Sequence, residues 1–207
     1  GTELYRKTFG VWDEAQVVPI GSSTKWLAGV TFMTLVQDGV IDLDDPLVDY
    51  LPAFDDFDPA KGAITFRMAL AHQSGLPRQH PCFYTKSITL QDCVDQIALA
   101  PQDFAPGTEF AYGGGGYQVA ARAAEVATGE SWVDLVQDRV VALCGITFSY
   151  DDDMNPWVAG GGSANLGGYD SFLGLFRNDG YCGTTQVLTS TSIDEMFADQ
   201  VNGLPIS

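Results

Sequence analysis

The 207 residues predict a helix-rich α+β chain. Three observations carry this. Apolar residues recur at helical spacing through the middle of the chain. Strand signals are scarce and lie toward its two ends. No internal repeat or low-complexity linker divides it. A content of 45% hydrophobic and 18% charged residues is that of a globular protein with a core, not of a disordered one.

The elements follow in order. Residues 4–12 read as a strand with a glycine interruption at Gly10. From Gly21 the chain reads as the start of a buried helix. Trp26, Leu27, Val30, Met33 and Val36 recur on one face, Ala28 and Leu35 widen it, and Gly39 ends it. Residues 46–51 predict a short turn of helix among aspartates that serve as helix-entry and loop residues. A calcium loop is the sharper reading of Asp42 to Asp45 and Asp55 to Asp58, but the central glycine and terminal glutamate of an EF-hand are missing. Residues 64–72 form a short helix candidate that stops before Ser74-Gly75-Leu76-Pro77. Thr89 opens another, with Leu90, Cys93, Val94 and Ile97 on one face and Pro101 as its stop. Residues 106–112 are a turn and an extended approach to four glycines, Gly113 to Gly116. An alanine-rich helix over 117–128 ends at Gly129, and Ala120, Ala121, Ala123, Ala124 and Ala127 let neighbours pack closely. Ser131 caps a helix through Leu143, with Trp132, Leu135, Val136, Val140 and Leu143 inward and Gly145 as its stop. Asp151 to Asp153 make a solvated loop, and Trp157-Val158-Ala159 leads into Gly160-Gly161-Gly162-Ser163. Residues 170–177 and 192–199 are two more helix candidates, with a short extended piece at 186–188 between them.

Two groups on the first buried helix carry chemistry. Ser22 sits at its N-terminal end and Lys25 one turn on, so hydroxyl and amine share a face. Free backbone N–H groups and the positive end of the helix dipole meet the serine there. An apolar stripe beside the lysine desolvates it and favours its neutral, basic form. The same two residues also fit an N-cap and a snorkelling lysine. The Gly113 to Gly116 run suggests a phosphate loop, but no Lys-Ser/Thr follows it and no βαβ unit surrounds it. Close backbone approach at a cleft explains it better.

A net charge of −17 weighs against nucleic acid and anionic membrane surfaces as partners. No apolar run approaches the length of a membrane span. Cys82, Cys93, Cys144 and Cys182 form no C-x-x-C pair, and with two histidines a zinc site is not expected. They allow two disulfides in three pairings, of which Cys82 with Cys93 would close a short loop, or four buried thiols. Disulfides would mean a secreted or periplasmic protein. The chain opens at Gly1 without a signal-peptide pattern, which reads as a mature or trimmed product.

Four segments, in order, resemble the serine β-lactamase and penicillin-binding-protein superfamily, most closely its class C-like branch of β-lactamases, esterases and D-amino-acid peptidases. Ile20-Gly21-Ser22-Ser23-Thr24-Lys25 resembles the Ser-x-x-Lys element. The stretch from Leu35 to Pro46, with Tyr50-Leu51-Pro52, resembles the segment that follows it. Leu70-Ala71-His72-Gln73-Ser74-Gly75-Leu76-Pro77 is similar to a Leu-Leu-Thr-His-Thr-Ser-Gly-Leu-Pro stretch. Pro106-Gly107-Thr108-Glu109-Phe110-Ala111-Tyr112 is similar to the element bearing the second catalytic motif, and Gly160 to Gly162 fit a later glycine segment more loosely.

The resemblance implies one β-lactamase/transpeptidase-like domain over 1–207, a helical region at about 45–150 packed on an antiparallel sheet from 1–40 and 151–207. It implies an acyl-serine mechanism on a small-molecule or peptide-like ester or amide, with no cofactor and no metal. Ser22 would be the nucleophile, Lys25 would take or relay its proton, Tyr112 would be the second base or proton relay, and the Ser22 N–H one half of an oxyanion hole. The second motif here reads Tyr112-Gly113-Gly114, so Gly113 and Gly114 stand at the substrate where an amide-binding side chain is usual, and this suits an ester. The family's third motif, Lys/His-x-Gly, is not found before Ser207, nor its opening helix before Gly1. The expectation is a central piece whose C-terminal strands come from elsewhere, a second chain included. A non-catalytic binding or scaffolding relative is the alternative.

Overall fold

Helix α1, Thr24–Gln37, is the axis of the core, and Leu27, Ala28, Val30, Phe32 and Leu35 on it are fully buried. The computed structural model describes residues 5, 7 and 9–207. The chain approaches through strand β1, Val18–Pro19, and a 3-10 turn at Gly21–Ser23. Around α1 lie α2 (Phe66–Leu70), α3 (Leu90–Leu99), α4 (Gly115–Thr128) and α5 (Trp132–Val136), which runs through a π turn at Gln137–Val141 into α6 (Ala142–Cys144). Strands β2 (Phe148–Tyr150) and β3 (Gly162–Ala164) come next, followed by α7 (Leu166–Arg177), the hairpin β4 (Tyr181–Cys182) and β5 (Thr185–Gln186), and α8 (Ser190–Phe197).

The expected α+β class holds. Helices make most of the core, and the sheet is small, antiparallel and ordered β1-β3-β2. Its register pairs Val18 with Ala164 and Tyr150 with Gly162. Local chemistry explains the helix ends. Thr89 and Asp92 close a reciprocal capping box on α3, Ser131 caps α5, and Gly129 leaves α4 at a φ of 77°. Aromatic packing ties the layers together. Phe32 stacks on Trp132 with centroids 4.7 Å apart, and the Trp132 indole donates to the Tyr150 hydroxyl at 3.0 Å. Lys61 is buried and donates to the carbonyls of Ala98 and Ala100, closing the end of α3.

Several expectations need correction. Of the strand expected over 4–12, residues 4, 6 and 8 lie outside the described residues; Tyr5, Lys7, Phe9 and the residues to Trp12 carry no strand, and the first strand is β1. Trp26 and Leu143, expected inward, are 39% and 44% exposed. Trp26 instead packs edge-on against Phe176 of α7 and meets Phe197 of α8. Helix α4 begins two residues early, at Gly115. α7 begins at Leu166, because Asn165 accepts the Gly168 N–H as its cap. α8 begins at Ser190 under a Thr189 cap. The extended piece near 186–188 is the β5 half of a hairpin at Thr185–Gln186, while Val187 and Leu188 turn into the core.

The cysteines are paired: Cys82 with Cys93, joining the turn at Pro81–Tyr84 to α3, and Cys144 with Cys182, joining α6 to β4. Among the described residues no helix is long and apolar enough to cross a membrane, and no cluster of His, Cys, Asp and Glu could hold a metal ion.

Candidate active site

Ser22 lies in the turn that delivers the chain into α1, and the sheet holds that turn from outside. The Ile20 N–H donates to the Gly162 carbonyl at 2.9 Å. Thr24, buried at the first position of α1, donates to the Gly21 carbonyl at 2.6 Å and accepts the Gly162 N–H at 3.1 Å. Gly162 has to be glycine here: a Cβ would come 2.7 Å from the Thr24 hydroxyl and 2.5 Å from the Phe148 ring. Ser22 is thus exposed while its backbone is tied to β3.

Lys25 follows on the same face. Its Nζ donates to the Ser22 Oγ at 3.3 Å and to the Ala159 carbonyl at 2.9 Å. The second bond anchors the amine across the site, on the segment leading to β3. The ammonium also lies 4.6 Å from the centroid of the Tyr112 ring and 5.7 Å from that of Tyr117. Tyr112, distant in sequence, therefore meets Ser22 and Lys25.

Burial acts to raise the Tyr112 phenol's pKa. Close polar contacts with Lys25 and Ser22, together with the Lys25 charge, outweigh it and leave the phenol below its ordinary value. Tyr117, buried beneath, is pushed the other way, by desolvation first and by Tyr112 second, and stays a neutral phenol. The two neighbouring tyrosines are thus shifted in opposite directions.

Tyr112 stands on no helix or strand. Two segments clamp it instead. The Ala111 N–H donates to the His72 carbonyl at 2.9 Å, and the Gly113 N–H to the His72 Nδ1 at 3.3 Å. The Arg78 Nε donates to the Tyr112 carbonyl at 3.2 Å, and the Arg78 carbonyl accepts the Gly114 N–H at 3.0 Å. The glycine run makes this contact possible. A Cβ on Gly113 would fall 2.5 Å from the Arg78 Cα, one on Gly115 2.5 Å from the Pro77 carbonyl oxygen, and one on Gly116 2.4 Å from that of Ala69. Gly113 and Gly114 therefore stand behind Tyr112, and a side chain on Gly114 would face Phe83, Trp157 and Ala159.

A cavity of about 350 Å³ opens beside the three polar groups. Ser22, Lys25 and Tyr112 line it, and Trp26, Met33, Leu70 and Met196 make its floor apolar. Arg67 at its rim is occupied by Asp44 at 2.7 Å and by Glu195. His72 is the residue of this region to which the sequence assigned no role; its only signal was its place in the 70–77 motif.

Comparison with known proteins places this geometry. A family model described as Beta-lactamase matches residues 1–186. Penicillin-binding protein 4 of Amycolatopsis lactamdurans is 32% identical over 149 residues, 69% of this chain and 38% of that protein. Lovastatin esterase of Penicillium rubens is 26% identical over 241 residues, 87% of this chain and 59% of that protein. The crystal structure of a candidate β-lactamase from Bacteroides dorei DSM 17855 is 31% identical and superposes with a TM-score of 0.89, over 99% of this chain and 63% of that one. The expected β-lactamase/transpeptidase-like architecture thus runs through the chain, which spans less than two thirds of each of these relatives.

Proposed function

This chain belongs to the β-lactamase family, and on that premise we propose that it carries the nucleophile half of a serine hydrolase acting through an acyl-serine. The observation that carries the proposal is the meeting of Ser22, Lys25 and Tyr112 beside the cavity. Ser22 attacks a carbonyl as Lys25, 3.3 Å from its oxygen, takes or relays its proton. Tyr112, its phenol held below the ordinary range, serves as the second base and returns the proton to the leaving group. Water then releases the acyl group with the proton transfers reversed. The Ser22 N–H provides one half of the oxyanion hole. No step calls on a metal or an organic cofactor.

An ester is the favoured substrate class. Lovastatin esterase is among the relatives, and the floor of the cavity beside Ser22 is apolar. The described residues form a single unit of a protein family whose members are longer than this chain. One contiguous hydrophobic core supports the single unit. The two disulfides support a secreted or periplasmic location.

The test is hydrolysis of a short p-nitrophenyl ester by the full protein, followed through p-nitrophenolate release. Turnover should vanish in Ser22→Ala and in Lys25→Ala, with both variants folded. Equal turnover in Ser22→Ala and wild type would overturn Ser22 as the nucleophile, and no turnover in the folded wild type would leave a binding or scaffolding relative in its place.

A further inference from the structure

We propose that His72 is the positioning residue for Tyr112, holding the backbone N–H groups of the residues before and after it and so setting the phenol against Lys25 and Ser22. The inference deepens the reading of Tyr112 as second base and rests on it.

The grip is two-handed. The His72 carbonyl takes the N–H of Ala111, the residue before Tyr112, and the His72 Nδ1 takes that of Gly113, the residue after it. The ring lies 4.5 Å from the Tyr112 ring, centroid to centroid, 5.5 Å from Tyr117 and 5.6 Å from Phe110. Tyr112 is thus fixed by its backbone and along one face of its ring, while Lys25 lies against the ring as well. His72 reaches this place at a φ of 61°, in the left-handed region that a side chain bearing a Cβ rarely enters. Such a conformation persists where the surroundings demand it, and here it aims carbonyl and imidazole at adjacent turns of the same strand of chain.

The grip requires a neutral imidazole, since only an unprotonated Nδ1 accepts the Gly113 N–H. The surroundings keep it so. Tyr112 from its loop and Tyr117 from α4 pack against the ring, and the Lys25 charge from α1 acts on it. Burial first, and the Lys25 charge second, lower the imidazole's pKa to about 4. Protonation would set an N–H against the Gly113 N–H and a cation beside Lys25.

The experiment reads Tyr112 directly. With tyrosine 13C-labelled at Cζ and the Tyr112 signal assigned through Tyr112→Phe, its titration is followed in wild type, His72→Gly and His72→Asn. Glycine removes the ring without backbone strain, and asparagine tolerates the left-handed backbone and keeps an acceptor. In His72→Gly the Tyr112 midpoint should rise toward the ordinary tyrosine value. His72→Asn should recover part of that shift. Ester turnover should fall roughly tenfold to a hundredfold in His72→Gly, in kcat more than in KM. Wild type provides an arm that needs no variant: the Tyr112 signal should move as His72 titrates near pH 4. A Tyr112 midpoint unchanged in His72→Gly, or a flat Tyr112 signal through that acid range, would overturn the proposal and reduce His72 to a packed core residue. If wild type turns over no ester yet Tyr112 responds to His72, the grip stands and the catalytic role of Tyr112 falls.

Discussion

Ser22 and Lys25 on one side of the site and Tyr112 on the other are held by different physics. Lys25 rides on α1 and Ser22 on the 3-10 turn that enters it, and the inner face of α1 is fully buried against Phe66, Trp132 and the rest of the core. Tyr112 rides on an irregular segment fixed by backbone hydrogen bonds to His72 and Arg78 and by glycines that allow contact. Packing holds the nucleophile and directional bonds hold the base. Damage to the first should appear as lost stability, and damage to the second as lost alignment in a protein that still folds.

The sharpest way to separate the two is to strike the core. Phe32→Ala removes a fully buried ring between Phe66 and Trp132, and should cost about 3–5 kcal/mol in denaturant unfolding. A cost under 1 kcal/mol would mean that α1 is not the axis described here.

Acid strikes the other support. The His72 imidazole moves from an ordinary 6.5 to about 4 in the fold, so between those values the unfolded chain binds the extra proton. Stability from this group is complete above pH 6.5, falls as pH drops toward 4, and then levels. The loss is up to about 3 kcal/mol at 1.36 kcal/mol per unit. Unfolding measured across that range should show a shallower slope in His72→Asn than in wild type, and parallel slopes would contradict the assignment.

Gly113→Ala drives a methyl into the Arg78 backbone and should cost about 1–3 kcal/mol. Its mark is the ratio of effects: ester turnover should suffer more than the melting temperature implies, the opposite of Phe32→Ala. Arg78→Gln, which removes only an exposed donor to the Tyr112 carbonyl, should change stability by less than about 1 kcal/mol. It should still slow turnover measurably, and full activity in that variant would show that the His72 grip suffices alone.

The same contrast decides what was legible in the sequence. α1 was legible because burial writes its period into residues such as Leu27, Val30 and Met33, and because Ser22 and Lys25 fall one turn apart. Trp26 misled, since an aromatic residue on the rim of an apolar stripe has the right spacing without being inside, and here it faces the cavity and Phe176. Strands β1 to β3 were missed because each is two or three residues long, too short for alternation to register. Tyr112 was found through an ordered motif and not through any periodicity. His72 went unassigned because its contribution is a backbone conformation and two hydrogen bonds to residues far along the chain, Ala111 and Gly113, which no local pattern encodes. The glycines after Tyr112 did carry a signal, and their reading as sites of close approach matches the contacts at Arg78, Pro77 and Ala69.

The central claim, that Ser22, Lys25 and Tyr112 act as one group, is tested most directly by intact mass after treatment with a fluorophosphonate. The full protein should gain one adduct, on Ser22. The adduct should be absent in Ser22→Ala and form at least tenfold more slowly in both Lys25→Met and Tyr112→Phe. An adduct on another residue, or one that forms on Ser22 at an unchanged rate without Lys25 and Tyr112, would contradict it.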